Sequence, residues 1–181
     1  CVDVDDEKIR QLNNGSIPIY EPGLEGMIRR NVDKKRLTFT TDIRTAMEGT
    51  EVVFIAVGTP PGEDGSADLR HVLAVAKEIG SVMDQHIVVV TKSTVPVGTA
   101  EKIRKTISAE LRRRKSTVTF DMASNPEFLR EGAAINDFMR PDRVVVGVKT
   151  ERARQVMQEI YKPLFLLDTP IVSTTVETAE L

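Results

Sequence analysis

The chain has 181 residues, 40% of them hydrophobic and 29% charged, a balance that suits one soluble α/β-type domain with its own core. Lys and Arg total 25 against 27 Asp and Glu, and the one basic run, Arg112 to Lys115, ends a predicted helix where cations suit the dipole, so no nucleic-acid partner is expected. Cys1 has no internal partner, no apolar run approaches the ~18 to 20 residues that span a bilayer, and the N-terminus lacks a signal-peptide pattern, so a cytoplasmic setting without membrane contact is expected.

Short apolar runs alternate with segments of helical period, which predicts βα units and a mainly parallel sheet. In chain order, "CVDV" at 1 to 4 reads as a strand end, and a helix capped by Asp5 and carrying Lys8 follows it. "NNGSIPIYEPG", 13 to 23, reads as an ordered surface loop around Ile17, Ile19 and Tyr20. "LTFT" at 37 to 40 is strand-like, and Thr41 and Asp42 sit where an N-cap belongs. "EVVFIAV", 51 to 57, is the strongest strand and feeds the loop "GTPPGEDGSAD", 58 to 68. Leu69, Val72, Leu73, Ala76, Ile79 and Met83 then form a helical stripe. "HIVVVTKS" at 86 to 93 predicts the next strand, Thr99 a cap, and Ile103, Ile107 and Leu111 the next stripe. "TVTFDMAS" at 117 to 124 and "RVVVGV" at 143 to 148 are further strands, and beyond the cap at Thr150 lie Ala153, Val156, Met157, Ile160 and Leu164. Stripes of this kind are core, and no chemistry is assigned to them.

Three stretches hold residues that the stripes do not explain. In an open parallel sheet, ligands bind where loops leave the carboxyl ends of the strands, which puts 58 to 68 on the binding edge. "TKSTVPVGT", 91 to 99, leaves a strand and opens a helix. Ser93, Thr94 and nearby N–H groups then face a crevice in which a helix N-terminus favours an anion; the stretch reads equally as a plain turn punctuated by Pro96 and Gly98. In "SNPEFLREG" Asn125 suits an N-cap and Pro126 the first helical position, so Glu127 falls in the first turn and Glu131 one turn later on the same face. Such carboxylates stabilise a helix by ~0.3 to 1 kcal/mol with no further role, whereas in a crevice they offer a general base or a means of ordering a catalytic water. Asp3, closing the first run, suits an acceptor for ribose hydroxyls, and its charge disfavours a 2′-phosphate, which points to NAD over NADP. The G-x-G-x-x-G that should precede it by about 20 residues is not in this chain.

Seven stretches in order, "CVDVDDEKI", "IPIYEPGLE", "LTFTTD", "VVFIAVGTPPGEDGSADL", "KSTVPVGTAEKI", "SNPEFLREGAAINDFMRPDRVVVG" and "ETAEL", resemble the N-terminal domain of the UDP-glucose 6-dehydrogenase family, within the wider UDP-glucose/GDP-mannose dehydrogenases. The resemblance covers essentially the whole chain. It implies an α/β fold with a Rossmann-like, doubly wound, mainly parallel sheet that lacks the family's first strand and Gly-rich loop. It also implies oxidation of the primary alcohol of a nucleotide sugar to a carboxylate with two NAD, through an aldehyde, a cysteine thiohemiacetal and a thioester that water cleaves.

Residue by residue, the resemblance puts Asp3 and Lys8 at the adenosine ribose, and Val57, Gly58, Thr59, Pro60 and Pro61 along the dinucleotide. Ser93 falls among the cofactor-binding residues, and Thr94 near the nicotinamide, where it helps to hold a catalytic water. Glu127, Phe128, Leu129, Arg130 and Glu131 contact the sugar nucleotide; Glu127 is the acid/base of thioester hydrolysis and Glu131 lies near NAD and the water. No metal is expected. Residues 1–181 are then an incomplete N-terminal NAD-binding domain, with the central and C-terminal UDP-binding domains, the catalytic cysteine, the lysine and the asparagine outside it; Cys1 is not that cysteine. The piece alone is expected to be inactive and poorly folded, or to pair its strands anew. Its parent is expected to be a homo-oligomer acting on UDP-glucose, toward which "FMRPDRVVVG" leans. GDP-mannose, a UDP-N-acetylhexosamine, and a non-catalytic nucleotide-binding module remain as alternatives.

Overall fold

The computed structural model describes residues 1–62, 66–165 and 169–181, so Glu63, Asp64 and Gly65 of the predicted loop at 58 to 68 lie outside the described residues. In chain order the elements are α1 (Asp6–Asn13), α2 (Leu24–Asp33), α3 (Ile43–Met47), β1 (Val52–Ile55), α4 (Arg70–Val82), β2 (Ile87–Thr91), α5 (Thr99–Arg113), β3 (Phe120–Ser124), α6 (Ala134–Met139), β4 (Val144–Val148), α7 (Glu151–Phe165), β5 (Ile171–Thr174) and α8 (Val176–Glu180). They fall into two compact units, one of residues 1–48 with 128–141 and one of residues 49–127 with 142–181.

The second unit holds a five-stranded sheet in the order β1-β2-β3-β4-β5. All neighbours are parallel except β3 and β4, which meet antiparallel over Ala123↔Val148 and Ser124↔Gly147. Strand β2 is "IVVVT", buried along its whole length, as a strand covered on both faces must be. Its Val88 and Val90 join Ala123, Val144, Val146 and Val148 against Ala153, Met157, Tyr161 and Leu164 of α7. By strand alternation Ile87 and Val89 turn to the opposite face. Each fully buried aliphatic side chain of this kind contributes about 1.5–3 kcal/mol. Val72, Ala76 and Ile79 of α4, with Ile103 and Ile107 of α5, are likewise fully buried, as their spacing predicts. The basic run closes α5: Arg114 donates from its guanidinium to the carbonyls of Ser81 (2.6 Å) and Met83 at the end of α4.

The predicted caps divide. Asp5 accepts from the Lys8 amide (3.0 Å), Asp42 from that of Arg44 (2.9 Å) and Thr150 from that of Ala153 (3.2 Å). Thr99 is not a cap: Gly98, at φ 90°, precedes α5, and the Thr99 hydroxyl donates to the Pro96 carbonyl at 2.6 Å.

In the first unit "CVDV" and "LTFT" form no extended strands and meet in a single parallel bridge, Val2↔Thr40. Val2 is 42% and Val4 82% exposed, so this pairing buries too little apolar surface to propagate. The helix predicted from Asn125 through Glu131 also does not form; helical structure resumes only at Ala134. Asn125 is drawn into the core instead of capping, and Gly132 at φ 77° is left-handed, a conformation that ends rather than continues a helix. Helices α2, α6 and α8 and strand β5 went unpredicted; three of them have four to six residues, too few for a period to declare itself.

Candidate functional site at the carboxyl edge of the sheet

Because β1, β2 and β3 run parallel, their carboxyl ends open onto one edge of the second unit. Backbone and side chains tie the loops there together. The amides of Lys92 and Ser93 both donate to the Ile55 carbonyl, at 2.8 and 3.2 Å, and the Asn125 amide donates to Thr91 at 2.9 Å. The Ser93 hydroxyl donates to the Val57 carbonyl at 2.6 Å, and the Thr59 hydroxyl to the Thr94 carbonyl at 2.8 Å. Val57 to Pro61, Ser93 and Thr94 are thereby one cluster rather than separate loops. Gly58, Pro60, Pro61 and Thr94 are exposed in it, and a Cβ at Gly58 would meet nothing within 4 Å.

Glu127, half-buried, belongs to the same unit. The residue before its proline anchors the approach: Asn125 is 1% exposed, its amide donates to the Val145 carbonyl at 2.8 Å, and its side-chain oxygen accepts from the Tyr161 hydroxyl. Lys92, half-buried at the end of β2, was absent from the sequence-based site. Burial pushes its ammonium below the ordinary lysine range, and the negative charge of Glu127 opposes that shift. The signal was a lysine placed directly after the apolar run "IVVVT".

The N-terminus of α5 is not an open anion site. The amides of Gly98 and Ala100 each donate to the Glu180 carboxylate at 2.7 Å, so the chain supplies its own anion to the helix dipole. Nor is 91 to 99 a bare turn, since it is tied down at both ends.

In the first unit, Asp3 and Lys8 form an ion pair at 2.5 Å. One Asp3 oxygen takes Lys8 and the other the Asp5 amide at 3.1 Å. The hydrogen bond from Lys8 holds the Asp3 carboxyl below the usual range, so it is ionised. A carboxylate oxygen accepts two hydrogen bonds, which leaves each with capacity for a ribose hydroxyl, and the pair fits an adenosine ribose.

Phe128, Leu129, Arg130 and Glu131 also lie in this unit and are exposed. Arg130 clasps Asp137 through its guanidinium at 2.7 and 3.0 Å, while its backbone amide donates to the same carboxylate at 3.0 Å. The guanidinium hydrogen bonds, with the backbone one behind them, lower the Asp137 carboxyl to about 2. With no helix between them, Glu127 and Glu131 are not successive positions on a helical face, and they fall in different units.

The chain matches the UDP-glucose/GDP-mannose dehydrogenase family, NAD binding domain, over residues 1–165. It is 52% identical to the UDP-glucose 6-dehydrogenase of Rhizobium meliloti, covering 100% of this chain and 41% of that protein. A solved UDP-glucose dehydrogenase from the hyperthermophilic archaeon Pyrobaculum islandicum superposes with a TM-score of 0.91 at 42% identity, over 99% of this chain and 41% of the other. A GDP-mannose dehydrogenase from Pseudomonas aeruginosa gives 0.90 at 38% identity, over 99% and 41%. The chain therefore spans about two fifths of the length of these relatives. A Rossmann-like, mainly parallel sheet with its loops gathered at one carboxyl edge, matched over residues 1–165 to the family's NAD binding domain, makes this chain a member of the UDP-glucose/GDP-mannose dehydrogenase family.

Proposed function

We propose that the chain is the incomplete N-terminal domain of an NAD-dependent UDP-glucose 6-dehydrogenase, which converts UDP-glucose, two NAD and water to UDP-glucuronate and two NADH. The observation that carries this reading is the 52% identity, along the whole chain, to a protein that bears that activity in its name. NAD, when bound, supplies the hydride acceptor. Asp3, with Lys8 beside it, accepts the adenosine ribose hydroxyls, and its charge repels a 2′-phosphate. Val57, Gly58, Thr59, Pro60 and Pro61 support the dinucleotide, with Ser93 and Thr94 toward its reactive end. Thr94 orients a water, Glu127 moves its proton, and Phe128 to Glu131 contact the sugar nucleotide, with Glu131 on the cofactor side.

The thiol nucleophile, its lysine and its asparagine lie outside this chain in this reading, so the 181 residues alone turn over no substrate. The whole enzyme is a cytoplasmic homo-oligomer. A second reading, a GDP-mannose dehydrogenase, rests on the TM-score of 0.90 to one such structure.

Turnover of the full-length protein with UDP-glucose, GDP-mannose and UDP-N-acetylhexosamines, each with NAD and with NADP, tests both. The expected result is two NADH per UDP-glucose and little reaction with NADP. Faster turnover of GDP-mannose replaces the first reading with the second, and turnover of none of them removes both.

A further inference from the structure

The segment that carries Thr94 is held from two directions. On the β1 side, the Ser93 hydroxyl reaches the Val57 carbonyl at 2.6 Å and the Thr94 carbonyl accepts from Thr59 at 2.8 Å. Between the anchors Val95, 7% exposed, plugs into the core. On the far side the Gly98 and Ala100 amides bind the two carboxylate oxygens of Glu180, 82 and 80 residues away in sequence.

Several features deliver Glu180 to that spot. Helix α8 has five residues, far fewer than the about 12–15 that give even a marginal isolated helix, so it depends on its surroundings. Thr175 caps it, accepting from the Thr178 amide at 3.1 Å. Val176 and Ala179 are buried against β4, where Gly147 leaves them room: a Cβ there would lie 2.5 Å from the Thr175 carbonyl oxygen and 2.7 Å from the Ala179 Cβ. The acid already in the first turn of α5 does not do this task, because Glu101 is taken by the Arg104 guanidinium at 2.6 and 2.7 Å.

We propose that Glu180 is a positioning residue for Thr94: its carboxylate serves as the built-in anion of the α5 N-terminus and fixes the path of residues 94–98. The role of Thr94 itself rests on the dehydrogenase reading; the clamp does not. The geometry also implies that a small carboxylate can take the vacated place if the side chain is shortened, since the two amides and the dipole remain.

The test uses the full-length protein and its Glu180→Ala and Glu180→Gln variants, with and without formate at constant ionic strength. Amide hydrogen exchange is read at Thr94, Val95, Val97 and Gly98, together with steady-state kinetics. In Glu180→Ala, exchange at these amides speeds up and kcat falls, each by about tenfold, the factor that a loss comparable to one helix cap produces. Formate reverses both, while wild type ignores it. Glu180→Gln, which keeps an acceptor oxygen without the charge, falls between, and it carries the same readouts if the alanine variant does not fold. Unchanged exchange at 94–98, or a kcat loss that formate does not move, overturns the proposal and leaves Glu180 a fold-only contact. If wild type oxidises no nucleotide sugar, the dehydrogenase reading fails instead, and the response of exchange to formate still decides on the clamp.

Discussion

Asn125 joins three elements through one side chain. It stands one residue past the last β3–β4 pair, gives its amide to the Val145 carbonyl at 2.8 Å and takes the Tyr161 hydroxyl from α7. Asn125 itself is 1% and Tyr161 5% exposed to solvent. Leaving a buried donor or acceptor unmade costs about 1–3 kcal/mol per group. Asn125→Ala removes two side-chain hydrogen bonds and is expected to lower stability by about 1–3 kcal/mol, whereas Tyr161→Phe removes one of them and costs about 0.5–1.5 kcal/mol. Urea denaturation followed by circular dichroism measures both; a loss under about 0.5 kcal/mol for Asn125→Ala, the range of ordinary surface changes, removes the anchor argument. The anchor also explains why the sequence misleads here. Asn-Pro before a glutamate is good capping chemistry, but the choice between cap and core anchor is made by Val145 and Tyr161, 20 and 36 residues downstream.

At the scale of elements, legibility follows burial. Strand β2 could be read because an unbroken "IVVV" is buried on both faces, and α4 and α5 because their stripes meet a full core. "CVDV" has the same strand-like composition but keeps Val4 82% exposed, so composition alone promised a strand that packing does not supply. The site was legible as residue types at loop positions; the hydrogen bonds that gather Ser93, Thr59 and Asn125 were not, since each joins segments dozens of residues apart. Nor was the closeness of α4 to α5. A Cβ on Gly80 would lie 2.9 Å from the Glu110 Cβ and 3.0 Å from the Ile107 carbonyl oxygen. In an exposed helix Gly→Ala gains roughly 1 kcal/mol of propensity, but overpacking costs roughly 1–3 kcal/mol, and here the contact includes backbone that cannot swing aside. Gly80→Ala is therefore expected to lower Tm, and a rise would mean that the two helices part freely.

For the whole molecule, the two units differ in what holds them. Among the described residues the first unit buries only Ile9 and Met47 of its hydrophobic side chains, and α2 buries none. The second contains all the other buried hydrophobics, from Ile55 to Ala179. Local opening free energy follows buried contact, so the 181-residue chain is expected not to unfold in one step. Amides of α1 and α2 should exchange first, at low denaturant, while those of β2 and α5 hold until the main transition. Proteolysis should cut between residues 13 and 40 before it cuts the second unit. The first unit carries Asp3, Lys8 and residues 128–131, so in the proposed enzyme a bound dinucleotide and sugar nucleotide would stabilise it by RT ln(1 + [L]/Kd). Hydrogen exchange across a urea series separates the cases. Staggered protection lost first from residues 1–48 supports two units of unequal strength; coincident loss at α1, β2 and α5 means that the chain folds as one cooperative body, and the expectation of an incompletely folded piece falls with it.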